Sequence, residues 1–419
     1  MKRIAILLPA IGALCWAAHA QDALPVPQWA ARLETPVTTP AVEQGRYLAI
    51  AGDCASCHTR EGHEAFAGGL GLKTQFGTIY SANITPDSET GIGTWTSDQF
   101  YRALHEGRRA SGAHLYPAFP YTSFTRITRG DSDTLYAYLR TLAPVSYRPP
   151  ENELPPIVDI RGVMALWNLL FFDPGEFRPD GAHTPEWNRG AYLVEGVGHC
   201  GGCHTPRNLL GAERTSEYLQ GGAAENWHSP NLAGDLHDGI GAWSQGDIIE
   251  YLSNGRNARA TASGSMGQVV LNSTSQLTQA DVKAIAAYLR ELPRRGDTAP
   301  PAARAAEMEL GATVYRNNCS SCHGPEGTGV SLLYPPLAGD ASLQAHDPST
   351  IVRIVLEGSR SPTTPARPTP SAMPAFAWKL ADSEIAAVLT YLRATHGNAA
   401  ASISDGEVAS VRRAIAEAP

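Results

Sequence analysis

Past residue 20, no apolar run of this 419-residue chain approaches the roughly 20 residues that a membrane-spanning helix needs. The C-terminal segment from Ala387 to Ile415 is broken by Arg393, His396, Asp405 and the Arg412-Arg413 pair. An excess of positive charge is also missing. The formal charge is −8, and it becomes −10 without Lys2 and Arg3, which argues against a nucleic-acid partner. No Gly-x-Gly-x-x-Gly follows a strand pattern and no hydrolytic constellation is recognisable, so the chain offers no residues for bond-making chemistry. Methionine is scarce: beyond the initiator there are Met164, Met266, Met308 and Met373. Cysteine occurs only as Cys15 and three close pairs.

Lys2-Arg3, the apolar stretch Ile4 to Ala18 and the small-x-small run Ala18-His19-Ala20 predict a signal peptide over residues 1–20. Pro9 interrupts its apolar stretch, and Leu14 ahead of Cys15 is not the small residue that lipidation would want. The mature chain is expected to be secreted, and soluble or peripheral. Its length favours two to three domains of roughly 100–200 residues. With 40 glycines and 31 prolines it is loop-rich, as a protein wrapped around cofactors would be.

The pairs are Cys54/Cys57, Cys200/Cys203 and Cys319/Cys322, each followed at once by histidine: His58, His204 and His323. Cys-x-x-Cys-His is the spacing of c-type haem attachment. Two cysteines three apart share one face of a helical turn and can form thioethers with the two vinyl groups, while the adjacent histidine turns under the ring to iron. Zinc modules bring their pairs far closer together in sequence than these are. A thioredoxin-like motif would sit in a βαβ pattern and need no histidine. The pentads therefore predict three covalently bound haem c groups.

Aligned on the pentads, the chain repeats with a period of roughly 100 residues. Gly45-Arg46-Tyr47-Leu48, Gly190-Ala191-Tyr192-Leu193 and Gly311-Ala312-Thr313-Val314-Tyr315 open each repeat on a short helix, whose aromatic is expected to pack on a closing helix. The closing helices end in Tyr138-Leu139-Arg140, Tyr288-Leu289-Arg290 and Tyr391-Leu392-Arg393, and Asp131, Thr278 and Asp382 are the expected caps. One more helix lies between, at Ser97 to Glu106, Gln245 to Ser253 and Pro348 to Glu357. The first two repeats also share Asn83-Ile84 with Asn231-Leu232, and Gly93-Thr94-Trp95 with Gly241-Ala242-Trp243. The expected fold is all-α: three tandem class I cytochrome c domains joined by Pro-rich linkers. Domain 1 spans 41–145, a linker packing between domains spans 146–185, domain 2 spans 186–294, domain 3 spans 305–396 and a tail spans 397–419.

A haem that only carries electrons usually has its second axial position filled, most often by a methionine thioether. Met266 and Met373, in glycine- and proline-rich loops ahead of the closing helices, are the expected ligands of the second and third irons; Met308 reads as packing. The first repeat has Phe119 where methionine would be expected, within Tyr116-Pro117-Ala118-Phe119-Pro120-Tyr121. Its iron is left with Met164 from the linker, with His105 or His114, or with an open position. An open first haem would suit a self-contained haem enzyme or gas sensor, for which Arg102, His105, Arg108 and Arg109 lie near that loop.

The mature chain resembles the triheme cytochrome c subunit of membrane-bound periplasmic dehydrogenases of the gluconate, alcohol and aldehyde types. The resemblance rests on Phe76-Gly77-Thr78-Ile79-Tyr80-Ser81, Asn83-Ile84-Thr85-Pro86-Asp87, Thr90-Gly91-Ile92-Gly93, and Trp187-Asn188-Arg189-Gly190-Ala191-Tyr192-Leu193 with Cys203-His204-Thr205-Pro206-Arg207-Asn208. Phe119, where many members carry methionine, looks more like the branch partnered with molybdenum hydroxylases. The resemblance implies a non-catalytic electron-transfer subunit in an oxidoreductase complex. A separate flavoprotein, quinoprotein or molybdenum hydroxylase would oxidise CH-OH, aldehyde or heteroaromatic donors. Electrons would pass on to membrane quinone or a terminal oxidase. It also implies peripheral attachment at the membrane, for which the tail from Ala394 to Ala418 is a candidate.

Overall fold

The computed structural model describes residues 39–417 apart from 157, 159–161, 225, 294–304 and 332. The expected signal peptide and most of the Pro293–Pro301 linker lie outside the described residues.

One packing arrangement recurs three times. An entry helix (Pro40–Ala51, Pro185–Ala191, Ala305–Asn318) crosses a closing helix (Arg129–Leu139, Gln279–Arg290, Asp382–Arg393). The second entry helix continues into a π-helical turn, Tyr192–Val197. Thr39 and Thr184 cap the first two entry helices and proline holds the first helical position in both, where its missing N–H costs nothing. Each crossing is centred on the repeated glycine. A Cβ on Gly45 would stand 1.9 Å from the Thr134 carbonyl oxygen, on Gly190 2.0 Å from that of Ala284, and on Gly311 2.2 Å from that of Ala387. Only glycine lets the two backbones approach so closely.

The arginine that ends each Tyr-Leu-Arg triplet ties the closing helix to the loops of its own unit. Arg140 donates to the Gly93 carbonyl, Arg290 to those of Gly241 (3.0 Å) and Trp243 (2.6 Å), and the fully buried Arg393 to those of Leu343, Ala345 and Ala401 at 2.7–2.9 Å. The caps differ from expectation at two helices. Thr128 caps the first closing helix, its hydroxyl accepting from the Asp131 N–H at 3.2 Å, so Asp131 sits one turn inside. At the third, Asp382 is the first helical residue and Glu384 reaches back to accept from the Ala381 N–H at 2.9 Å. Thr278 caps the second as expected. The intermediate helices are Ser97–Glu106, Gln245–Asn254 and Ser349–Glu357, the first two with full capping boxes.

The fold is mainly helical rather than all-α. Three short antiparallel hairpins pair Gly71–Thr74 with Gly77–Tyr80, Gln220–Ala224 with Trp227–Asn231, and Ser359–Arg360 with Ala372–Met373. Their strands are two to five residues long, too short for an alternating pattern to stand out in sequence.

A single apolar core runs through the first two units, from Leu48, Phe66 and Phe100 to Val194, Leu219 and Val282. The third unit has its own, around Val314, Val352, Ile385 and Leu389. It abuts the second where Thr350 exchanges hydrogen bonds with the His228 backbone (2.8 and 2.9 Å) and Arg353 lies 4.6 Å from the Trp227 ring centroid. The segment from Trp167 to Phe171 belongs to a helix, Val163–Phe171, that touches both early units: Trp167 donates to the Leu210 carbonyl and Asn168 accepts from the buried Tyr121 hydroxyl. The tail forms the helix Asp405–Ala416, whose Val408, Val411 and Ile415 pack into the third core, so its apolar side is already used within the chain.

Candidate haem-attachment sites

Each pentad is a single helical turn at the end of an entry helix: Cys54–His58, Gly201–His204 and Ser320–His323 with Cys200 and Cys319 just ahead. In the first two units a left-handed residue, Asp53 (φ 49°) or His199 (φ 39°), separates entry helix from pentad and turns the second helix against the first. None of the six cysteines is in a disulfide. The first of each pair is partly buried, while Cys57 and Cys203 are exposed. Burial pushes the Cys54 and Cys200 thiols up to about 12 and that of Cys319 to about 11.

The three histidines share one geometry. Nδ1 of His58 faces the Ala82 carbonyl at 2.7 Å, that of His204 the Pro230 carbonyl at 2.7 Å and that of His323 the Pro335 carbonyl at 3.0 Å. A carbonyl can only accept, so Nδ1 carries the proton and the Nε2 lone pair is left for a metal. Burial depresses all three imidazoles, His204 to about 4, which keeps them neutral, the state in which they ligate. The accepting carbonyls were not singled out in the sequence, yet the signal was one residue away. Ala82 and Pro230 immediately precede the shared Asn83 and Asn231, whose side-chain oxygens accept from the N–H two residues on (2.9 and 2.7 Å) and fix the turn that aims the carbonyl.

These residues fit covalently attached haem: paired thiols on one turn, a neutral imidazole beside them, and apolar walls. The second unit adds Arg256, which is buried and has no hydrogen-bond partner at Nε, a cation that a haem carboxylate would satisfy. Among the described residues no cluster of His, Cys, Asp and Glu forms a ready-made metal site.

Of the expected sixth ligands, Met266 lies not in a loop but in the first turn of the helix Gly264–Asn272, packed against the core shared by the first two units. The sequence Gly264-Ser265-Met266-Gly267 concealed that helix because two glycines lower its propensity. Met373 is half-buried in the two-residue strand ahead of Pro374. Met164 is buried among Tyr116, Tyr121, Trp167 and Ala212, and Phe119 packs against both this cluster and the main core. His114 accepts from Asn168 at 3.2 Å, and His105 stacks on Tyr101 with ring centroids 4.8 Å apart. Met308 is half-buried on the third entry helix.

Helical units closing on Cys-x-x-Cys-His turns define a c-type cytochrome. A family model described as Cytochrome c matches residues 188–293 and 308–396. The chain is 38% identical over 394 residues to the gluconate 2-dehydrogenase cytochrome c subunit of Pantoea cypripedii, covering 89% of each chain. It is 37% identical over 406 residues to the fructose dehydrogenase cytochrome subunit of Gluconobacter japonicus, covering 89% of this chain and 83% of that one. It is also 43% identical over 386 residues to a nicotinate dehydrogenase subunit of Pseudomonas putida, covering 87% of this chain but spanning only about a third of the relative's length, 32%. The chain belongs to the cytochrome c subunits of dehydrogenase complexes: it is a haem c electron-transfer subunit and not the catalytic one. Among the described residues no helix is long and apolar enough to cross a membrane.

Proposed function

We propose that this chain carries three haem c groups, one per pentad, and passes electrons from a periplasmic dehydrogenase catalytic subunit to membrane quinone or a terminal oxidase. The observation that carries the reading is the threefold recurrence of a Cys-x-x-Cys turn whose following histidine commits Nδ1 to a backbone carbonyl. The domains follow the repeat, 41–145, 186–294 and 305–396, with the 146–185 linker between the first two, a tail from 397 and a signal peptide over 1–20.

Bound haem supplies the one-electron chemistry; the chain's residues hold and tune it. Cys54, Cys57, Cys200, Cys203, Cys319 and Cys322 anchor the rings, and His58, His204 and His323 ligate through Nε2. The carbonyls of Ala82, Pro230 and Pro335 fix each imidazole plane and raise its basicity. Met266 and Met373 serve the second and third irons. Met164 serves the first, its candidacy supported by its place beside the Phe119 loop. The donor oxidised by the partner is of the CH-OH, aldehyde or heteroaromatic class. The gluconate and fructose dehydrogenase relatives support the CH-OH part of that range and the nicotinate dehydrogenase relative the heteroaromatic part, and the length of the latter beyond the matched region is consistent with a large partner close to the cytochrome.

Intact mass of the mature chain matured in a periplasm, with ferric and ferrous spectra taken with and without carbon monoxide, tests this. A mass of polypeptide plus three haems and spectra indifferent to carbon monoxide are expected. Fewer haems would overturn the count. A shift of about one third of the haem would mean an open first iron and favour the enzyme or sensor reading instead.

A further inference from the structure

The first two pentads are joined directly, and the joint is concentrated around Cys54. The His199 ring, just ahead of Cys200, has Nε2 3.2 Å from the Gly52 carbonyl, a pure acceptor to which the Nε2–H donates. The Ser273 hydroxyl donates to the Ala51 carbonyl at 3.2 Å. Asn272 donates through Nδ2 to the hydroxyl of Ser56, between the two cysteines of the first pentad, at 2.7 Å, and Ser56 in turn donates to Asp53 at 2.6 Å. Asn272 ends the helix that carries Met266, so the distal side of the second site is keyed to the proximal side of the first. From the other direction, Phe124 of the first unit meets the His199 ring edge-on with centroids 5.3 Å apart. His199 is held in a left-handed backbone conformation, uncommon for a residue other than glycine.

We propose that His199 positions the second haem-attachment motif against the first for direct one-electron exchange. The inference rests on haems being attached at both motifs. A connected path, Cys54–Asp53–Gly52 to His199–Cys200, contains a single hydrogen bond. With haem bound at both motifs the exchange would be a one-electron transfer between them, in which no bond forms or breaks and no proton moves. The third unit has no corresponding bond to the first two pentads among those described, so the first two sites act as one closely coupled pair.

The test is pulsed one-electron reduction of the full holoprotein, following equilibration between haems optically. His199→Leu removes the donor, His199→Gln restores a donor at the Nε2 position, and Tyr192→Phe loosens the contact between units elsewhere. With three haems still attached by mass, H199L is expected to slow equilibration on the order of tenfold, the scale of a sub-ångström misplacement. H199Q and Y192F are expected to stay within about twofold of the native rate. A native rate in H199L, or equal slowing in Y192F, would overturn the proposal. If H199L attaches fewer haems, His199→Phe takes its place, since it keeps a ring against Phe124 and lacks the donor to Gly52; a native rate there overturns the proposal as well. Failure of the three-haem reading would show separately, as a low haem count in the native protein.

Discussion

Tyr47 and Tyr192 hold reciprocal positions: each stands on the entry helix of its own unit and bonds to the closing helix of the other. The Tyr47 hydroxyl donates to Asp281 at 2.6 Å and accepts from the Thr278 N–H at 3.2 Å; that of Tyr192 donates to Asp131 at 2.5 Å and accepts from the Thr128 N–H at 3.3 Å. Each tyrosine thus reads the N-terminal cap of the neighbouring unit, and the two units clasp each other. The third unit has Thr313 at the equivalent position and takes no part; Tyr315, two residues on, donates to its own Gly324 carbonyl and packs on its own Tyr391.

The clasp is unequal, because Asp281 also receives two 2.8 Å bonds from Arg189 while Asp131 has no such partner described. Asp281→Ala should therefore destabilise by about 3 kcal/mol, stranding a half-buried guanidinium, and Asp131→Ala by about 1 kcal/mol. Thermal unfolding of the two variants checks the order, which would be wrong if D131A proved the worse.

The same carboxylate gives the contact between the first two units an acid limit. Burial pushes the Asp281 carboxyl up, but the hydrogen bonds from Arg189 and Tyr47 outweigh it and leave it below the ordinary aspartate value of 3.8. A depressed folded-state pKa contributes stability that is present above the unfolded value and lost as pH falls through the folded one. Melting followed from pH 6 downward should show this contribution fading only below about pH 4, and Asp281→Asn should flatten that part of the profile.

Carbon monoxide reports the thioethers one at a time. Met266→Leu and Met373→Leu should each open one iron and convert about one third of the haem to a carbonyl-binding form, and Met164→Leu should do the same for the first. If M164L leaves the spectrum as it was, Met164 is packing among Tyr116, Tyr121 and Trp167, and the first iron is served otherwise.

Glycines at the helix crossings and Gly202 of the second pentad should respond oppositely. Gly190→Ala or Gly311→Ala drives a methyl into a backbone carbonyl and should cost about 3 kcal/mol or more. Gly202, between the second pair of cysteines, has nothing within 4 Å of a Cβ, so Gly202→Ala should keep both stability and haem content. Calorimetry and mass on the same preparations decide both.

The pentads, the glycine that opens each repeat and the arginine that closes it were legible because each answers a demand local to a helix turn or a helix crossing. What a linear reading missed is which partner a side chain meets. Tyr47 looks the same in sequence whether it packs on Tyr138 in its own unit or bonds Asp281, 234 residues away. The hairpins escaped for want of length. The cap at Thr128 escaped because Asp131, equally able to cap, stands three residues on. Phe119 breaks the repeat in the sequence itself, but that Met164 is buried beside it follows only from the linker helix docking across two units.

Arg140, Arg290 and Arg393 all end on backbone carbonyls, not on carboxylates. Carbonyls do not titrate, and an ion–dipole contact buried as that of Arg393 is lies out of reach of dissolved salt. The third unit is therefore closed by a fastening that ignores the ionic composition of its surroundings. Acid and salt act instead on the joint at Asp281 and on exposed pairs such as Arg129–Asp98, while the buried arginine of the third unit holds its loops through either change.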